Sequence, residues 1–112
     1  MATSQSTVDY ILDQLAGAGE VSARKMFGEF GLYCDGKFVA SVCDDTLFIK
    51  PTRQGHAFAP DQEVGPPYIG AKDQFMISGD QLEDADWVSE LLRITTAALP
   101  APKPKKKKQT KD

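Results

Sequence analysis

The sequence predicts a two-layer α+β domain, an antiparallel sheet of about five strands with helices on one face, in the order α-β-β-β-(short α)-β-β-α. Three observations carry this. Between Val21 and Pro51 the strand-forming runs MFGEFGLYC, KFVASVC and TLFIK are separated by the turn pairs Asp35-Gly36 and Asp44-Asp45. Before them, Val8, Ile11, Leu12 and Leu15 recur at the spacing of one helix face. After them, Leu82, Ala85, Val88, Leu91, Leu92, Thr95 and Leu99 repeat the same period over a longer span.

In chain order, Ser6 or Thr7 is placed to cap the first helix, and Gly17 or Gly19 to end it, since glycine accepts the left-handed conformation there. The three strands follow. Asp-Gly forms a tight hairpin because both residues take positive φ at little cost. With Asp35 and Gly36 central, strand partners sum to 71 and the faces separate. Phe27, Tyr33, Phe38, Ala40, Val42, Leu47 and Ile49 fall on the expected core face. Phe30, Leu32, Val39, Ser41, Cys43 and Phe48 fall on the other, which is more apolar than a solvated face needs to be. A slip of one residue would exchange the two sets. Gly28 and Gly31 mark a bulge, a bend or a close approach within the first strand.

From Thr52 to Asp73 periodicity fades. A short helix is expected around Gln54 to Phe58, a turn at Gly65-Pro66-Pro67, a short strand at Tyr68-Ile69 and a clearer one at Gln74 to Ile77. Asp80 then caps the last helix with Glu83 answering it, acids fill its first turns, and Pro100 stops it. The organisation is thus a body over residues 1–99 and a disordered Lys-rich tail over 100–112.

Charge follows the same division. Residues 1–99 hold 7 Lys and Arg against 15 Asp and Glu, a net −8, whereas residues 100–112 hold 6 Lys against one Asp. An acidic body repels phosphates, so any DNA contact belongs to a local patch or to the tail. The N-terminus has no signal-like pattern and no apolar run reaches membrane-spanning length, which makes the cytoplasm the expected location. Cys34 and Cys43 read as reduced thiols. In the 71-sum register they stand about 20 Å apart at roughly 3.3 Å per residue, beyond the about 7 Å a disulfide tolerates.

The run ARKMFGEFGLYCDGKFVASVCDDTLFIKP, followed by PPYIGAKDQFMISGDQLEDADWVSELL, resembles the N-terminal domain of the TfoX/Sxy proteins, bacterial regulators of natural competence. The resemblance spans roughly Thr7 to Leu99. It implies a secretion-chaperone-like α+β fold and a non-enzymatic role, in which full-length relatives assist transcription beside a DNA-binding activator. It brings no catalytic residues to carry over. Those relatives have a second domain similar to helix-hairpin-helix modules, whose place here is taken by the lysine tail.

Candidate site residues follow from chemistry. The tail lysines Lys103, Lys105, Lys106, Lys107, Lys108 and Lys111 suit weak, nonspecific attraction to DNA phosphates. Phe30, Leu32, Val39 and Phe48 suit a partner surface, covered by the loop from Thr52 to Asp73, by a second copy in a homodimer, or by a protein partner from the transcription machinery. Arg24, Lys25, Lys50 and Lys72 are candidates for a small positive patch. No metal-ligand spacing is present and no cofactor is implied. The competing reading is a small-ligand-binding domain or enzyme that uses the 52–73 loop as a lid near His56, the single histidine, with Asp44, Asp45 or Asp61.

Overall fold

The computed structural model describes residues 3–26 and 29–100. Helix α1 (Gln5–Gln14) leads, followed by one turn of 3-10 helix at Ala16–Ala18. Strands β1 (Val21–Met26), β2 (Glu29–Cys34), β3 (Lys37–Cys43) and β4 (Thr46–Ile49) come next, then α2 (Arg53–Phe58), β5 (Val64–Gly65), β6 (Gln74–Ile77), α3 (Gly79–Glu83) and α4 (Ala85–Ala98). All pairings are antiparallel, in one sheet ordered β1-β2-β3-β4-β6-β5. The two-layer α+β architecture is therefore the one expected, with six strands where about five were read. The additional strand is β1: VSARKM alternates small and charged residues, so its apolar signal is too weak to stand out beside β2.

Local chemistry sets the element ends. Ser4, not Ser6 or Thr7, caps α1, its hydroxyl accepting from the Thr7 N–H. Val8, Ile11 and Leu15 are fully buried, and Gly19 at φ 141° turns the chain into β1. The expected single C-terminal helix is two. Ser78 and Gln81 form a reciprocal capping box on α3, and the Asp84 carboxylate accepts from the Trp87 N–H to start α4. Asp80 and Glu83 instead lie inside α3. Both hairpins turn where the sequence placed them: Asp35 and Gly36 have φ of 53° and 85°, and Asp44 and Asp45 have 52° and 60°.

The faces of the sheet differ from expectation, and the reason is a β-bulge. Tyr33 pairs with Phe38 and Cys34 with Lys37, as a sum of 71 requires, but Leu32 pairs with Ala40 and Phe30 with Val42. The extra residue, Val39, sits opposite Leu32 beside Ala40, so Val39 and Ala40 both turn toward the helices while Phe38 turns away. Phe30, Leu32, Cys34, Val39, Ala40, Val42, Leu47, Ile49, Phe75 and Ile77 consequently meet Val8, Ile11, Leu15, Val88, Leu91 and Leu92 in one core. Tyr33 and Phe38, assigned to the core by strict alternation, face the other way. Phe27 and Gly28 lie outside the described residues.

Polar contacts fasten the helix layer to this sheet. Lys37 Nζ donates to the carbonyls of Thr96 and Leu99 at 2.8 and 2.9 Å, closing the C-terminus of α4. Arg93 donates to the Gly17 carbonyl, and the Ser89 hydroxyl to that of Gln14, which ties α4 to the end of α1. With α1 and α4 occupying one face, the opposite face is left for other uses.

Candidate interaction site on the open sheet face

Register and alternation place Ser22, Arg24 and Met26 of β1, Gly31 and Tyr33 of β2, Phe38, Ser41 and Cys43 of β3, Phe48 of β4, and Gln74 and Met76 of β6 on the open face. The chain from Pro67 to Lys72 overhangs part of it, enclosing a half-open groove of about 1110 Å³ whose lining includes Met26, Phe38, Cys43, Tyr68, Ile69 and Gln74. The expected strand at Tyr68-Ile69 does not form. The short edge strand is Val64–Gly65, and Met76 packs where a Gly65 side chain would otherwise stand. Tyr68 and Ile69 stand at the lip of the groove, 66% and 101% exposed.

Beside the groove runs an ordered set of aromatic and cationic side chains. The Tyr33 and Phe38 ring centroids are 5.3 Å apart. The Arg24 guanidinium lies 5.3 Å from the Tyr33 centroid, and Lys50 Nζ lies 4.7 Å from that of Phe38. Gly31 makes this possible: a Cβ there would meet the Phe38 ring at 2.8 Å and the end of Met26 more closely still. The glycine thus serves a close approach by side chains of its own sheet.

The residues singled out from sequence are distributed as follows. Phe30, Leu32 and Val39 are not available to a partner, because the bulge puts them in the core; Phe48 alone of that set is on the open face, and it is 5% exposed. The apolar side chains at the groove instead include Met26, Tyr68 and Ile69. Of the basic set, Arg24 and Lys50 share the face and Lys72 lines the groove, whereas Lys25 points to the opposite side by alternation. The six tail lysines lie outside the described residues. His56 is exposed on α2, its ring 4.8 Å from that of Phe75 in edge-on contact. Since Phe75 belongs to the core and Phe58 of α2 stacks near Trp87 of α4, His56 is on the helix side of the sheet, away from the groove. Among the described residues no group of three or more His, Cys, Asp or Glu could hold a metal ion.

Both cysteines are free and buried. They lie on opposite faces: Cys34 donates to the Ala18 carbonyl on the helix side, and Cys43 lines the groove. Burial, and then the charge of Glu29, push the Cys43 thiol pKa up, which keeps it neutral and weakly nucleophilic.

Asp45 of the β3–β4 turn has a structural task. The Ser4 N–H donates to Asp45 Oδ1 at 3.0 Å, and the Thr3 hydroxyl and N–H donate to Glu29 Oε1, so the start of the chain clasps this end of the sheet. The bond from the Ser4 backbone, and then that from Thr7, hold the Asp45 carboxyl below its ordinary 3.8. A group more acidic when folded stabilises fully above its unfolded pKa, and that contribution is lost as pH falls through the lower folded value. Asp45→Asn keeps a residue that tolerates positive φ but removes the charge. Its thermal midpoint should lie below that of the parent at about pH 6, and the gap should close as pH falls below the ordinary 3.8.

Fold and face together define a small two-layer α+β domain whose helices cover one side of an antiparallel sheet and leave the other side open among the described residues. A family model described as the TfoX N-terminal domain matches residues 13–99. The chain is also 44% identical over 108 residues, 96% of its own length and 93% of the relative's, to an uncharacterized 12.7 kDa protein in the trpE 5′ region of Spirochaeta aurantia. The chain belongs to the TfoX N-terminal domain family.

Proposed function

We propose that this chain is a non-enzymatic interaction domain of transcriptional regulation, competence-regulator-like and cytoplasmic, that acts through protein contacts made by the lip and groove of the open sheet face. The observation that carries this is the pair Tyr68 and Ile69, large apolar side chains exposed next to one another at the mouth of a groove with Met26 and Phe38 in its wall. Aromatic and methionine side chains are suited to the apolar anchors of a protein partner. The tail lysines add nonspecific attraction to DNA, which would hold the domain near the template while the face engages its partner. Among the described residues no helix is long and apolar enough to cross a membrane.

The groove also favours a second reading, a small-ligand-binding domain with the Pro67–Lys72 overhang as one wall. His56 lies on the helix side and cannot serve as its base, so this version rests on binding by the groove's own lining. In the native host, transcripts should be compared in a deletion strain complemented with the parent chain or with Tyr68→Asp/Ile69→Asp. The parent should restore a defined set of transcripts and the variant should fail at equal protein level and unchanged thermal midpoint. Full restoration by the variant would refute docking at the lip, and a deletion without transcript changes would refute the regulatory role.

A further inference from the structure

Protein docking at Tyr68 and Ile69 leaves the neighbouring row of side chains unexplained. Across the sheet, at the end near the β2–β3 turn, five residues stand side by side on the open face: Arg24 of β1, Tyr33 of β2, Phe38 of β3, Lys50 just past β4, and Gln74 at the start of β6. The register fixes the order of the last four, because Tyr33 pairs with Phe38, the Lys50 N–H donates to the Val39 carbonyl beside Phe38, and Ile49 pairs with Phe75. Arg24 stands opposite Gly31, two residues along from Ser22, the partner of Tyr33, and its guanidinium reaches back over the Tyr33 ring. At about 4.8 Å between strands the row is about 19 Å long.

Its chemistry is alternately stacking and cationic. Tyr33 and Phe38 are half-buried rings on two adjacent strands, and Arg24 and Lys50 flank them. At the far end, Gln74 lines the groove, and its Oε1 is buried and has no hydrogen-bond partner. A buried acceptor without a donor is costly to keep, and it points to an N–H supplied from outside. These cations stand in contrast to a body with a net charge of −8, and on the groove the acids Glu29 and Asp44 sit at the opposite end, beside the β3–β4 turn.

We propose that this row binds single-stranded nucleic acid. Two bases stack on Tyr33 and Phe38, Arg24 and Lys50 pair with the phosphates that flank them, and Gln74, once its amide turns into the groove, accepts through Oε1 from an exocyclic amine of a base there. In the free protein Arg24 and Lys50 occupy the ring faces themselves. Both are long side chains that can swing outward as a base arrives, exchanging a cation–π contact for an ion pair with phosphate. A duplex cannot use the row, because its bases are stacked within the helix and do not reach a sheet surface. Selection of single strands over duplexes is therefore the signature of this site. The inference is independent of protein docking, since it requires Tyr33 and Phe38 and not Tyr68 or Ile69.

The test is fluorescence anisotropy with the full chain and labelled mixed-sequence strands of about ten nucleotides, as DNA and as RNA, beside the duplex of the same sequence. Single strands should bind more tightly than the duplex. Phe38→Leu and Tyr33→Leu should each weaken single-strand binding about tenfold while leaving duplex binding as in the parent. Lys50→Gln, which removes no core contact and so remains informative if a ring variant misfolds, should reduce the salt slope for single strands by about one. Binding of either DNA or RNA strands supports the site, and the preference between them identifies the sugar it accepts. Equal affinity for strand and duplex in the parent, or a Lys50→Gln chain with the parent's affinity and slope, would overturn it.

Discussion

Leu32→Ala should destabilise the domain by about 2–5 kcal/mol, measured as a lower denaturant midpoint at unchanged slope. Leu32 is fully buried, and its neighbours are core residues of β3 and the helices. Truncation removes the transfer free energy of the lost carbons and leaves a space that a sheet pinned by the β2–β3 bulge cannot close. The result decides between two registers. Under strict alternation from the Asp35-Gly36 turn, Leu32 would be on the open face, and its loss would alter stability by about 0.5 kcal/mol or less, as surface substitutions do. A small effect would mean that the faces are exchanged and that Tyr33 and Phe38 belong to the core.

That register shows where sequence reasoning reaches and where it stops. Turn chemistry is local, so Asp35-Gly36 and Asp44-Asp45 announced both hairpins, and the periodic stripes of α1 and α4 announced the helices. A bulge is not local in this sense. Nothing in KFVASVC says that Val39 and Ala40 share a side; it is decided by the fit of Val39 against the helices and of Phe38 over Gly31. The excess of apolar residues over what one core face requires was legible, and most of it, Phe30, Leu32 and Val39, belongs to the core itself. Its membership was not legible, since one inserted residue moves Phe30, Leu32 and Val39 inward and Tyr33 and Phe38 outward. Arg24 and Lys50 were visible as members of a small basic set with Lys25 and Lys72, but their position over two rings depends on pairing across four strands. Tyr68 and Ile69 looked like a strand because their side chains favour one; without a partner edge they became the lip of the groove.

The second large effect concerns the tail. For mixed-sequence duplex DNA, the full chain should lose about 10³-fold in affinity between about 50 and 200 mM salt, with a log-log slope near about −5. Six lysines that each displace counterions at about 0.9 per phosphate set that slope. Replacing Lys103, Lys105, Lys106, Lys107, Lys108 and Lys111 with glutamine should abolish both the binding and its salt dependence, because the remainder of the chain carries −9 and repels the duplex. The single-strand row would survive this substitution, as its selectivity arises from stacking on Tyr33 and Phe38. The two sites can therefore be separated in one pair of proteins: the lysine-to-glutamine chain should lose duplexes and keep its preference for single strands, and Phe38→Leu should keep duplexes and bind single strands about tenfold more weakly. If the parent chain shows no duplex binding even at low salt, attraction by the tail is refuted, and any link to nucleic acid rests on the sheet face alone.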